Sequence, residues 1–120
     1  MDANKVAVAV SIESQTLDDL LCNALEGGSN YWYMISDWDK AGREFLHEAP
    51  MAGGWLKFVG EEIDGRTEWK LDRDGMLRGF AVMADKFPRH YADAMSECNA
   101  DATTGDVFLQ CCLFGDLIYG

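Results

Sequence analysis

The stretch WLKFVGEEIDGRTEWKLD, residues 55–72, decides the fold class because strand periodicity gives way to helix periodicity at its end. Apolar and polar residues alternate on both sides of Asp64-Gly65, a pair that favours a two-residue turn between antiparallel strands. From Asp72 onward the apolar residues recur every three or four positions, which is the period of a helix. The sequence therefore predicts a β-hairpin, residues 55–71, followed directly by helices.

Two further strands are expected before this hairpin. The segment KVAVAVSI alternates valine with alanine, which is typical of a strand near the N-terminus. The segment NYWYMISDW places bulky residues on both faces of a strand over residues 31–38, so both faces are expected to be covered. The predicted fold class is therefore α+β, with a small antiparallel sheet (N-terminal strand, strand 31–38, hairpin 55–71) packed against three to four helices.

The first helix is expected to follow the N-terminal strand. Thr16 with Asp19 has the spacing of a capping box, and an apolar stripe follows it. Gly27 is expected to end this helix, because a left-handed residue after the last turn is favoured only without a Cβ atom.

The helices of the second half are predicted from their end signals. Asp72 or Asp74 is expected to cap one helix, whose face includes Leu77, and Pro88 to begin the next. Thr103 with Asp106 repeats the capping-box spacing before a last helix, residues 107–114. Its sequence, VFLQCCLF, is apolar nearly all round, so this helix should be central and buried, with Gly115 as its stop. The segment DLIYG that follows is apolar enough to be expected to dock on the protein.

The net charge of −11 comes from two segments of the chain. Residues 6–39 hold six acidic residues and residues 91–120 hold five, and neither segment contains a lysine or arginine. In the rest of the chain the positive and negative charges are equal in number. If the two segments pack beside one another, the domain has one strongly negative side. Such a side repels nucleic acid and membranes and attracts cationic protein surfaces.

A helix from each acidic segment carries carboxylates beside an apolar stripe. On one side of the molecule they would present a row of negative charge that resembles a phosphate backbone to a basic groove. The candidate partner-binding residues are Asp18, Asp19, Glu26, Asp93 and Glu97. The alternative is that these carboxylates only maintain solubility.

The stretch LEGGSNYWY, residues 25–33, has two interpretations. It can be a helix stop and a tight corner followed by a strand whose aromatic residues fill the core. It can also be a corner that offers polar groups and flat aromatic faces to a ligand or partner. The candidate residues of this second interpretation are Ser29, Asn30, Tyr31 and Trp32.

No catalytic or metal-binding motif is present in the sequence. The two histidines, His47 and His90, lie in unrelated segments, and the adjacent Cys111 and Cys112 would point about 100° apart on a helix. All four cysteines lie in apolar periodic segments and are expected to be reduced core thiols. We therefore expect one domain, residues 1–120, that is not an enzyme and uses no cofactor and no metal.

Three motifs, ALEGGSNYWY, KFPRHYADAM and DATTGDVFLQCCLFGDLIYG, resemble a family of small proteins of tailed bacteriophages and prophages. The resemblance covers both ends and the second half of the chain, and residues 39–53 are not part of it. The resemblance does not imply an enzymatic activity or any catalytic residues. What it implies is a setting, that of an accessory phage protein acting in the cytoplasm of the host bacterium.

Charge and setting together predict a stoichiometric inhibitor of a host defence or nucleic-acid-handling protein, of CRISPR or restriction type, that acts through an acidic face. The expected partner is a host or defence-system protein with a basic surface, and neither nucleic acid nor a membrane is bound directly. The alternative is a protein that binds or sequesters a small molecule, such as a nucleotide signal, at residues 27–32. The sequence leaves the oligomeric state open.

Overall fold

The computed structural model describes residues 11–28, 31–96 and 101–120. A three-stranded antiparallel sheet with strand order β1-β2-β3 packs with four helices, which confirms the α+β class. The elements are α1 (Ser14–Asn23), a π-helical turn (Ala24–Gly28), β1 (Tyr33–Asp39), a 3₁₀ turn (Leu46–Glu48), β2 (Trp55–Ile63), β3 (Arg66–Leu71), α2 (Arg73–Lys86), α3 (Pro88–Met95) and α4 (Ala102–Phe114). The predicted N-terminal strand lies outside the described residues. Among the helices described, none is long and apolar enough to span a membrane.

The predicted hairpin is confirmed as β2 and β3. Asp64 and Gly65 both have a positive φ, of 51° and 81°, as a type I′ turn requires. Leu56 pairs with Leu71 across the hairpin, and Phe58 pairs with Trp69, and all four of these side chains are buried. The hairpin therefore turns one apolar face toward the helices.

Strand β1 differs from the prediction in its start and in its faces. It begins at Tyr33, and its register against β2 shifts between Ile35 and Asp37, so Ser36 is an extra residue of the strand. Beyond this bulge Trp38 pairs with Leu56 of the inner face, whereas the unbroken alternation of a strand over residues 31–38 puts Trp38 on the same face as Met34. The expectation that both faces are covered is wrong, since Met34 is 72% exposed.

The first helix begins earlier than expected and continues further. Its N-cap is Glu13, and no side chain caps it, so the capping box of Thr16 with Asp19 is wrong. Gly27 does not end the helix in a left-handed conformation, because the chain continues through the π-helical turn. This wider turn lies against α4, where a Cβ atom on Gly105 would come within 2.6 Å of the Ala24 nitrogen.

The boundary between α2 and α3 follows the prediction. Asp72 accepts a hydrogen bond from the Gly75 nitrogen at 2.9 Å, and Pro88 is the first residue of α3. Gly79 lets α2 approach α4, since a Cβ atom there would lie 2.6 Å from the Cys112 Cα atom. Leu77, expected on the apolar face of α2, is instead 42% exposed.

Helix α4 is the central helix of the fold, as predicted, but it begins five residues earlier than expected. Asp101 caps it by accepting a hydrogen bond from the Thr104 nitrogen at 2.9 Å, so the capping box of Thr103 with Asp106 is wrong. Asp106 lies within the helix and is buried. Gly115, with a φ of 69°, ends the helix as predicted.

The segment after α4 docks through one buried amide side chain. Gln110 Oε1 accepts hydrogen bonds from the nitrogens of Ile118 and Tyr119, both at 2.8 Å, and Gln110 Nε2 donates to the Tyr119 carbonyl oxygen at 3.0 Å. Tyr119 is thereby fixed against the protein, while Leu117 and Ile118 are exposed.

Candidate functional site

The buried carboxylate of Asp106 accepts hydrogen bonds from three side chains. Trp32, which directly precedes β1, donates from Nε1 to Asp106 Oδ1 at 2.9 Å. The Tyr31 hydroxyl and Gln110 Nε2 donate to Asp106 Oδ2 at 3.2 Å and 3.1 Å. Hydrogen bonds to a charged acceptor are stronger than neutral ones. Asp106 therefore ties the start of β1 to the middle of α4.

Four aromatic rings surround this carboxylate and form what we call the aromatic corner, Tyr31, Trp32, Tyr33 and Tyr119. Trp32 stacks on Tyr119, with ring centroids 5.2 Å apart and 12° between the planes, and meets the edge of Tyr33 at 5.0 Å. Tyr31 meets the edge of Tyr119 at 6.4 Å. The corner is thus continuous with the core through Trp32, which is only 8% exposed.

The two tyrosines nearest to Asp106 keep their protons over the physiological pH range. Burial raises the pKa of Tyr33 to about 12, and the negative charge of Asp106 contributes to this rise. The pKa of Tyr31 is also raised, by desolvation first and then by Asp106. Both phenols therefore remain neutral and can act as hydrogen-bond donors.

Tyr31, which is 61% exposed, lines two clefts. The first, called the aromatic cleft, has a volume of about 460 Å³ and is lined by Tyr31, Trp32, Tyr33, Met34, Val59, Gly60, Glu61 and Tyr119. The second cleft has a volume of about 380 Å³ and is lined by Gly27, Tyr31, Ala102, Thr103, Asp106 and Gly120. Both interpretations of the sequence corner thus have structural support, since Trp32 fills the core while Tyr31 faces two open clefts. Ser29 and Asn30 lie outside the described residues.

The charges around these clefts are negative. Glu61 lines the aromatic cleft and Asp106 lines the second cleft, and among the described residues neither cleft is lined by a lysine or arginine. Clefts of this charge favour cations over anions.

The predicted acidic face is brought together in part. Helices α1 and α3 are in contact, and a groove of about 300 Å³ runs between them. This α1–α3 groove is lined by Glu13, Gln15, Thr16, Asp19, Leu20, Ala94, Met95 and Ser96. Asp19 is exposed there and accepts a hydrogen bond from Gln15 Nε2 at 2.8 Å, and Asp93 directly precedes the groove residue Ala94.

The other predicted acids lie elsewhere. Asp18 is close to the 3₁₀ turn; its pKa is raised by desolvation, while the charge of His47 opposes this rise. Its Oδ1 atom is buried and has no hydrogen-bond partner among the described residues. Glu26 is exposed in the π-helical turn, and Glu97 lies outside the described residues.

The described cysteines are free, and of these Cys111 is buried, whereas Cys22 and Cys112 are only half-buried and are not full core residues. Burial raises the pKa of Cys22, Cys111 and Cys112, that of Cys111 to about 11. A thiol that stays protonated is a poor nucleophile and a poor metal ligand. In the part of the chain that the structure describes, no three His, Cys, Asp or Glu side chains are grouped so as to hold a metal ion. Cys98 lies outside this part.

Four residues of the aromatic corner and its hydrogen-bond network were not identified as site residues from the sequence. They are Tyr33, Asp106, Gln110 and Tyr119. The available signal was polarity in an apolar setting, because a glutamine inside VFLQCCLF must be buried and must therefore find hydrogen-bond partners. No family model matches the chain, and comparison with curated proteins and with solved structures gave no match.

Proposed function

We propose that the protein is an acidic binding protein that inhibits a host defence or nucleic-acid-handling protein, of CRISPR or restriction type, by occupying its basic surface. The observation that carries the proposal is the contact between α1 and α3, which come from opposite ends of the chain. Helix α1 contains no basic residue, and α3 contains Arg89 and His90 only in its first turn. Their contact supports one negative side rather than two separate acidic segments.

The carboxylates of this side are available to a partner. The salt bridges found among the described residues are Lys57 with Glu68 and Lys86 with Asp116, and neither includes a residue of α1 or α3. Asp19, Glu26 and Asp93 are therefore not neutralised by a salt bridge within the described part of the chain. Unpaired exposed charge is what steers a protein toward a surface of opposite sign.

The setting of the proposal is the cytoplasm of a phage-infected bacterium. It is supported by the resemblance of ALEGGSNYWY and DVFLQCCLFGDLIYG to proteins of tailed phages. In that setting a defence nuclease with a basic nucleic-acid channel is a partner of complementary charge.

An alternative function is the binding of a nucleotide signal at residues 27–32. Two of these residues, Tyr31 and Trp32, line the aromatic cleft, whose size and aromatic lining would suit a nucleotide base. The charges oppose it, because a phosphate would meet Glu61 there. Basic side chains of the hairpin are engaged elsewhere: Lys70 lies over the Trp55 ring at 4.5 Å, and Arg66 over the Trp69 ring at 5.8 Å. The acidic-face proposal therefore has the better support.

The test compares two variants with equal changes in charge. Asp19→Asn, Glu26→Gln and Asp93→Asn are combined in one chain, and the control combines Glu44→Gln, Glu62→Gln and Asp85→Asn, which lie outside both acidic segments. The affinity-tagged protein is expressed in bacteria that carry defence systems, and captured proteins are identified. We expect the wild type and the control to capture a nucleic-acid-binding protein and, at a one-to-one ratio, to displace its nucleic acid. The test variant should associate more slowly, most clearly at low salt.

Asp93 is half-buried and the other five residues are exposed, so each substitution removes a charge at the surface and should change the free energy of unfolding by under about 0.5 kcal/mol. Equal melting temperatures of the two triple variants would show that a loss of binding is not a loss of fold. Capture that is unaffected by the test variant and by ionic strength contradicts the proposal. So does a captured protein that keeps its nucleic acid.

A further inference from the structure

We propose that the aromatic cleft is a binding site for a flat organic cation of the guanidinium or amidinium type. The α1–α3 groove is lined by an entirely different set of residues. The proposal is therefore independent of the inhibitor function.

The shape of the cleft suits a small flat ligand. Its volume of about 460 Å³ lies within the range of about 300–1,000 Å³ that small-molecule sites occupy. The lining combines the four rings of the aromatic corner with Met34 of β1 and with Val59, Gly60 and Glu61 of β2. Gly60 is part of the lining and lets β2 approach Trp32 closely, since a Cβ atom there would lie 2.9 Å from the Trp32 carbonyl oxygen.

The electrostatics of the cleft select a cation. Glu61 supplies an exposed carboxylate to the lining. Behind the rings, Asp106 accepts hydrogen bonds from the indole nitrogen of Trp32 and the hydroxyl of Tyr31. Donation to a carboxylate polarises both rings toward more negative faces, and a negative ring face attracts a cation.

A delocalised cation fits these groups better than an ammonium group. A guanidinium or amidinium is planar and weakly hydrated, so it can stack on Tyr31 while its in-plane N–H groups donate to the Glu61 carboxylate. An ammonium is compact and strongly hydrated, and it would lose more hydration on entering the cleft. Such a cation can arrive as a free small molecule or as an arginine side chain, and the two sources share the same chemistry.

Three ligands of nearly the same shape test the proposal. Benzamidine is a cation, benzamide is neutral, and benzoate is an anion. Titration of the full chain, followed by tyrosine and tryptophan fluorescence and by calorimetry, should give benzamidine about tenfold tighter binding than benzamide, which corresponds to about 1.4 kcal/mol. Benzoate should show no binding.

Two variants assign the site. Glu61→Gln should reduce the preference for benzamidine over benzamide to about twofold, whereas Glu62→Gln, the neighbouring exposed control, should keep it. Tyr31→Ala should weaken the binding of benzamidine and of benzamide at least fivefold, because both ligands are expected to stack on the Tyr31 ring. Tyr31 is mostly exposed, so this variant should still fold.

A peptide comparison distinguishes the two sources of the cation. Binding of the tripeptide Gly-Arg-Gly with the same dependence on Glu61, and without binding of Gly-Lys-Gly, assigns the site to arginine side chains. Binding of benzamidine alone assigns it to free small molecules. Equal affinity for benzamidine and benzamide overturns the proposal, as does tighter binding of benzoate or of adenosine monophosphate. The two proposals can be tested separately. If the variant with Asp19→Asn, Glu26→Gln and Asp93→Asn loses the capture of a partner but still binds benzamidine, the aromatic cleft is a site distinct from the acidic side.

Discussion

The aromatic corner and the α1–α3 groove are built in opposite ways. In the corner one carboxylate, Asp106, accepts hydrogen bonds from residues 74 and 75 positions away in sequence, and ring contacts connect these residues to the core. Along the groove, Asp19 and Asp93 are carried by separate helices, and the hydrogen bond of Asp19 is to a residue of its own helix. A substitution in the corner should therefore disturb several contacts at once, whereas a substitution beside the groove should change only the local charge.

The largest expected effect is that of Trp32→Ala. It removes a buried indole and one of the hydrogen-bond donors to Asp106, so it should lower the free energy of unfolding by about 3–5 kcal/mol. Urea denaturation followed by circular dichroism measures this loss. Trp38→Ala is the matched control, because Trp38 is 48% exposed and its truncation should cost no more than about 1.5 kcal/mol. If the two variants lost the same free energy of unfolding, the contacts of the aromatic corner would contribute no more to stability than those of an exposed tryptophan.

A smaller but still clear effect is expected for Asp106→Ala. The change leaves the Trp32 indole nitrogen and one Gln110 hydrogen bond without their acceptor, at a cost of about 2–3 kcal/mol. Asp106→Asn keeps one acceptor oxygen and should cost less. Asp19→Asn is the control from the groove, and it should change the free energy of unfolding by under about 0.5 kcal/mol. If Asp106→Ala were as mild as this control, the comparison of the two regions would fail.

The smallest effect concerns Asp18 and depends on pH. Because desolvation raises its pKa above the unfolded value of 3.8, the folded state binds the proton more tightly than the unfolded state. The stability contributed by Asp18 therefore falls as the pH rises from 3.8 through the higher folded pKa, and it stays low above this window. Asp18→Asn should raise the midpoint of urea unfolding at pH 7 slightly and should show no gain well below pH 3.8.

The neighbouring Asp19→Asn should give no such gain at pH 7, since Asp19 is exposed and already has a hydrogen-bond donor in Gln15. A higher midpoint for both variants would indicate a general effect of net charge instead of the burial of Asp18.

The sequence predicted the parts of the fold that local rules control. The Asp64-Gly65 turn, the cap at Asp72 and the stop at Gly115 depend on residues within one turn of the chain, and all three are confirmed. The two capping boxes failed because other residues, Glu13 and Asp101, occupy the N-cap positions.

The candidate site was less predictable because its contacts are long-range. Nothing local to Asp106 shows that it will meet Trp32, and a capping role was the simplest local interpretation. The bulge at Ser36 likewise depends on the partner strand, and it moves Trp38 to the other face of the sheet. By contrast, the buried position of α4 could be predicted, since residues 107–114 are apolar nearly all round.

The central position of α4 has a consequence for the synthesis of the protein. The ribosome makes α1 and all three strands before it makes α4, Ala102–Phe114. Residues of α4 nevertheless share one core with Leu21, Trp32 and Trp69 of these earlier segments. Until that helix emerges, the earlier elements lack the contacts that α4 makes with α1, α2 and β3. Folding of the growing chain must therefore wait for nearly its whole described length. Such late closure makes folding slow for a chain of this size and exposes the nascent protein to chaperones and proteases.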